Sequence, residues 1–166
     1  MNCEIPLQLA GSKTYLSIFG PCLIVLLILV AIAVFGTNTN QKKLAILAAI
    51  IINIGVSGYF LYQARSSGIT ISTGKLRAHT GLASIDIPLN TIRWDSAIDA
   101  SSIKFPLRKM GTSLPGMYTG WFKNENGRDA FLLRSDTPST LIPTSNDYDL
   151  VVATSAYEQM KQCVRQ

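Results

Sequence analysis

One histidine, His79, and three cysteines, Cys3, Cys22 and Cys163, are the side chains best suited to nucleophilic, acid–base or metal chemistry. None stands at a working spacing. A structural zinc site needs Cys or His pairs a few residues apart, and no CxxC pair or Cys/His cluster occurs. Cys22 lies inside an apolar run and the other two lie near the chain ends, an odd and scattered set that argues against a disulfide framework. His79 has no Cys partner at a recognised spacing and reads as a surface strand residue. Ser101-Ser102 lacks a nucleophile-elbow setting. Asp147 and Asp149 could pair as acids, but Asn146-Asp147-Tyr148-Asp149 reads better as a solvated turn. No G-x-x-x-x-G-K-[ST] loop is present, and Gly111, Gly116 and Gly120 do not follow a strand and open a helix. The expectation is a chain without catalysis, metal or cofactor.

The cations are the other candidates. The chain has 15 Lys+Arg against 10 Asp+Glu, a net charge of +5. From Gln63 onward 12 basic face 9 acidic residues. That excess is too small and too dispersed for a nucleic-acid surface, whereas a weakly basic domain near a membrane suits anionic headgroups. Arg108 and Lys109 are candidates for a headgroup or a partner's carboxylate. Lys75 and Arg77, with Arg93 and Lys104, could form a membrane-facing patch, although ordinary solvated strand ends are the preferred reading.

These residues depend on two membrane segments for their position. Hydrophobic residues make up 48% of the chain, unevenly spread. Leu16 to Phe35 reads LSIFGPCLIVLLILVAIAVF and carries no charge; about 20 such residues span a hydrocarbon core. No small-residue cleavage site follows, so an uncleaved anchor is expected. The second run, Leu44 to Tyr62, is softer. Ala45, Ala49, Asn53 and Ser57 recur every fourth residue and form one face for close helix packing, within the chain or against another membrane protein. The short connection around Lys42 and Lys43 makes the helices antiparallel, and Tyr15, Phe19, Tyr59, Phe60 and Tyr62 would share one interface. Lys13, Arg65, Lys75 and Arg77 outnumber Lys42 and Lys43, which favours termini in the cytoplasm.

Residues 1–62 thus form an anchor, 63–68 a linker reaching about 20 Å at most, and 69–166 a soluble domain held against the bilayer. Its segments alternate like strands: 69–72, 75–79, 84–89, 118–123, 128–134, 140–142 and 150–153, with 97–105 a weaker candidate. Asn124-Glu125-Asn126-Gly127 is a hairpin loop. Ser155 and Glu158 fit a capping box, and Tyr157, Met160 and Val164 follow at helical spacing. The expected class is α+β: a helical hairpin, then a small barrel or sandwich of about seven strands plugged by a C-terminal helix.

That layout, and the run Arg108-Lys109-Met110-Gly111-Thr112-Ser113-Leu114-Pro115-Gly116-Met117-Tyr118-Thr119-Gly120-Trp121-Phe122, resembles the bacterial PH-domain membrane proteins. Arg108, Gly111, Pro115, Gly116, Gly120 and Phe122 fill the family's pattern, and Ile85 to Ile92 is similar to its early strand and turn. The resemblance implies a PH-like fold over 69–166, a bacterial inner membrane and a role in interaction. It makes 108–122 an architectural loop crossing the barrel, or else a binding loop using Arg108 and Lys109. The expected function is a non-catalytic module that binds a membrane-associated protein or an anionic lipid headgroup. The alternative is an assembly subunit working through its hairpin, and a small lipid or peptide enzyme is a distant third.

Overall fold

The computed structural model describes residues 3–7, 9, 11–35, 39–135 and 138–165, without the side chains of 32–35, 39–42, 44 and 45. Two helices form the hairpin, α1 (Ser12–Phe35) and α2 (Thr39–Arg65). Their 24 and 27 residues give lengths of about 36 and 40 Å. Both are long and apolar enough to cross a bilayer. Their apolar side chains face outward rather than into a protein core: Leu16 is 74% and Ile54 69% exposed. Tyr15, Phe19, Tyr59 and Tyr62 are also exposed, all at the ends of the helices nearest the domain.

The inter-helix seam is polar at one level. Pro21 removes a backbone donor from α1. Next to it the Cys22 thiol donates to the Ile18 carbonyl (3.1 Å) and lies 3.2 Å from the Ser57 hydroxyl. The Asn53 amide donates to the Cys22 carbonyl at 3.4 Å. Asn53 and Ser57 therefore face the other helix of the same chain. Ala49 lines a groove alongside, and the side chain of Ala45 lies outside the described residues.

The first sheet has the order β1-β2-β3-β4, all antiparallel: β1 (Cys3–Pro6), β2 (Gly68–Ser72), β3 (Lys75–His79) and β4 (Ser84–Pro88). Strand β1 precedes the hairpin and pairs with β2 directly after it, Ile5 opposite Ile69. The second sheet holds β5 (Ile98–Asp99), β6 (Leu107–Leu114), β7 (Met117–Lys123), β8 (Asp129–Ser135), β9 (Ser139–Pro143) and β10 (Tyr148–Ala153), in the order β5-β9-β10-β8-β7-β6. Helix α3 (Thr154–Arg165) closes the chain. The class is α+β, as expected. Of the expected barrel or sandwich of about seven strands, no closed barrel forms: the described residues make two open sheets with ten strands. Strand β10 inserts between β8 and β9 and runs parallel to β8, which breaks the up-and-down meander that closure would need.

Alternation sets the faces. Leu76 and Ala78 point inward from β3 while Lys75 and Arg77 point out. The larger core joins Ile69, Leu76 and Ile87 of the first sheet to Phe131 and Leu150 of the second and to Met160 of α3. On the other face of the second sheet, Phe122, Ala130, Leu132, Leu141 and Val151 form a smaller core covered by Ile103 and Phe105. Strands β8 and β10 are buried on both faces, hence their near-continuous apolar runs. The segment expected as a strand over 97–105 pairs only at Ile98–Asp99 and otherwise serves as this cover.

In α3, Tyr157 and Met160 are buried and the Tyr157 hydroxyl donates to the Trp94 carbonyl at 2.9 Å. Val164, expected inside, is 40% exposed, and Cys163 packs against the core instead. Cys163 is bonded to Cys3, with Cα atoms 6.2 Å apart and a sequence separation of 160. The scattered cysteine pattern, which argued against a disulfide, is resolved by the fold: β1 carries the first cysteine onto the sheet beside α3. Cys22 remains free.

Candidate functional site: the seam between hairpin and domain

The four cations singled out in the sequence stand on two different sheets. Lys75 and Arg77 lie on the outer face of β3, and Arg108 and Lys109 on the edge strand β6. Two of them are already matched. Arg77 Nε and Nη2 donate to the two carboxylate oxygens of Asp86, directly opposite in register, at 2.7 and 3.1 Å. Those hydrogen bonds hold the Asp86 carboxyl below its ordinary range and raise the Arg77 guanidinium. Lys109 is the extra residue of a bulge between Arg108 and Met110, and its ammonium reaches Asp129. Arg108 makes no ion pair among the described residues. These cations do not converge on one site.

Residues 108–122 form a β-hairpin rather than a loop. Gly111 and Gly120 face each other across it at φ +133 and +104, and a Cβ on either would run into the other strand's backbone. Pro115-Gly116 is the turn itself, with Gly116 at φ +82, as a type II turn requires. Phe122 is buried in the smaller core. The motif is therefore chiefly architectural, and the structure adds what it builds against. A Cβ on Gly116 would lie 2.8 Å from the Thr14 hydroxyl, so the turn rests on the first turn of α1.

A second glycine turn does the same at α2. Between β3 and β4 the Thr80 hydroxyl accepts from the amides of Leu82 and Ala83, at 3.2 and 3.0 Å, and closes a tight turn. Within it, a Cβ on Gly81 would lie 2.9 Å from both Gln63 Oε1 and Ser66 Oγ. The domain is thus seated on both helix ends, and Leu82, at the tip, is 42% exposed.

Buried polar atoms without a hydrogen-bond partner among the described residues occur at this seam and, as Asp129 Oδ1 and Arg134 Nε, on β8. Thr14 Oγ1, Gln63 Oε1, Ser66 Oγ and His79 Nδ1 are buried without a hydrogen-bond partner among the described residues. Gln63 does donate from Nε2 to the Tyr59 hydroxyl at 2.9 Å. His79, expected as a surface strand residue, instead lays its ring against Gly68. A cavity of about 440 Å³ opens here, lined by Pro6, Leu7, Leu9, Tyr15, Leu61 and Ala64, with Arg65 at its border. Arg65 makes no ion pair among the described residues. The lining mixes apolar side chains with polar surface and includes one cation, Arg65.

Asp149 corrects another expectation. It is no solvated turn residue: it follows Tyr148 in β10, is 4% exposed, and takes a hydrogen bond from Arg128 Nε at 2.9 Å. Arg128 Nη2 also donates to the carbonyls of Thr144 and Asn146 at 3.1 and 2.7 Å, which ties down the turn before β10. No group of three His, Cys, Asp or Glu able to hold a metal occurs among the described residues. Sequence reasoning missed Gln63, Ser66 and Gly81 as seam residues. The signal available was two polar residues just after the second apolar run, read there only as linker.

In comparisons with known proteins, no family model, no curated protein and no solved structure matches the chain.

Proposed function

We propose that the chain is a membrane-anchored, non-catalytic interaction module whose domain, of PH-like type, engages a membrane-associated protein or an anionic lipid headgroup at the bilayer surface. One observation carries this reading. Strand β1, before the hairpin, and β2, after it, pair in one sheet, so both ends of the hairpin emerge on the same face and the domain is built from both. Two crossings satisfy that geometry and one does not. The outward-facing apolar side chains of α1 and α2 supply the lipid-contacting surface. The PH-like assignment rests on the motif residues from Arg108 to Phe122 and on strands followed by a helix.

The seam cavity is the favoured contact for a headgroup, because it lies at the level of the exposed tyrosines with Arg65 at its border. A cation at a membrane surface contributes about 1 kcal/mol. Arg65→Ala should therefore lower retention of an anionic phospholipid about 5-fold in native mass spectrometry of the detergent-solubilised chain. Lys75→Ala should leave it unchanged. Crosslinking in native membranes tests the wider reading: recovery of neither a protein partner nor lipid would reject it.

The second reading, an assembly subunit acting through its hairpin, is favoured by an apolar groove of about 430 Å³ between the helices, lined by Leu16, Phe19, Cys22, Leu26, Ala49 and Asn53. Replacing Asn53 and Ser57 by Leu should then abolish a larger complex on a native gel. The resemblance gives a bacterial inner membrane as the setting. The flanking-charge count favours a cytoplasmic domain, while the disulfide favours the opposite face.

A further inference from the structure

Cys3 lies on β1, before the first apolar helix, and Cys163 lies in the last turn of α3, at the other end of the chain. Their Cα separation of 6.2 Å falls within the range a disulfide spans. Both pack against the larger core, so the bond belongs to the folded domain rather than to a loose terminus. Structural disulfides form and persist outside the reducing cytosol.

We infer that the domain stands on the oxidising face of its membrane, with the Lys42–Lys43 end of the hairpin in the cytosol, and that Cys3–Cys163 is a structural modification made there. This deepens the reading of a membrane-seated module and rests on the hairpin. In the step itself the two thiols lose two protons and two electrons as the S–S bond forms. The acceptor is a disulfide-bearing thiol oxidoreductase, whose own disulfide becomes a dithiol.

The flanking charges lean the other way by a margin of two, Lys13, Arg65, Lys75 and Arg77 against Lys42 and Lys43. We set the disulfide above that margin, because long domains cross largely regardless of charge. Pairing is also unambiguous. Cys22, the third thiol, is held in the helix seam by Ile18 and Ser57, apart from the other two. The consequence for function is the partner's compartment: whatever the domain meets is a lipid surface or protein outside the cytosol.

Thiol trapping on the full chain in cells tests this. Free thiols are blocked with N-ethylmaleimide under acid quench, then disulfides are reduced and labelled with a polyethylene-glycol maleimide. The wild type should gain two adducts and Cys3→Ser none. A wild type without adducts, its thiols all blocked at the first step, overturns the inference. Sidedness is read separately by Gln41→Cys in a Cys22→Ser background. A membrane-impermeant maleimide should label it only after the membrane is opened. Labelling in intact cells overturns the inference even if the disulfide is present. A chain extracted by alkaline carbonate defeats the hairpin reading as well, whereas a chain that stays in the pellet with free thiols defeats this inference alone.

Discussion

The two ends of the domain use polar side chains differently. At the end away from the helices, ion pairs form: Lys109 reaches Asp129, and Arg128 holds the buried Asp149, with Arg108 outside any ion pair among the described residues and Asp129 Oδ1 left without a hydrogen bond. At the end that meets α1 and α2, Thr14, Gln63, Ser66 and His79 bury polar atoms that find no protein partner among the described residues. Arg108 stands about 20 Å along β6 from the turn that meets α1, across from Phe122 at the open end of the hairpin. A charge that is already matched has little left to offer a ligand, whereas a buried unmatched group costs about 1–3 kcal/mol. The difference teaches where to look for binding: at the seam, where stability has been given up, rather than among the more numerous cations beyond it.

The largest effect that would break this contrast comes from the far region's backbone. Gly111→Val places a side chain against Thr119 at a φ that L residues avoid. It should cost about 3–5 kcal/mol, read as a lowered thermal midpoint by circular dichroism in detergent; an unchanged midpoint would mean the Gly111–Gly120 pairing is wrong. Next, Arg128→Ala leaves the Asp149 carboxylate buried and unpaired. Because the Arg128 side chain is 40% exposed, water shares the solvation and the expected loss is about 2–3 kcal/mol. Chemical denaturation would measure it, and Arg128→Lys should recover only part.

Smaller effects sharpen the contrast at the seam. Gly116→Val and Gly81→Val each push a turn off one helix end and should cost about 1–3 kcal/mol. Hydrogen exchange should rise at residues 12–16 and 62–68 while β8 and β10 stay protected. Loss of protection in both regions together would show that the domain and hairpin form one cooperative unit. The smallest effect concerns Asp86, whose carboxyl is held low by hydrogen bonds from Arg77. A depressed carboxyl adds stability above its unfolded value of 3.8 and loses it as pH falls through the folded value. Arg77→Ala should raise the Asp86 midpoint toward 3.8 by NMR titration, with little change in stability because the pair is exposed.

The helices and most strands were legible because their signals are local. An uncharged run long enough to cross lipid needs no tertiary contact to announce itself, and alternation over 69–72, 75–79 and 84–89 marks a sheet with one wet face. Strand β6 was hidden by its glycines, which read as a loop although Gly111 and Gly120 exist to let two strands approach closely. The seam was hidden for another reason: nothing local tells Gln63, Ser66 and Gly81 that they meet.

By itself the sequence determined the two apolar helices, the alternating strands and the amphipathic start of α3, since each follows from how a short stretch partitions between water and an apolar phase. Only the tertiary structure decided that Cys3–Pro6 becomes a strand, that β10 lies parallel to β8, and that Cys3 meets Cys163. Each of these joins residues far apart in the chain, and no local preference of four residues can specify a partner that the hairpin or the sheet must first bring alongside.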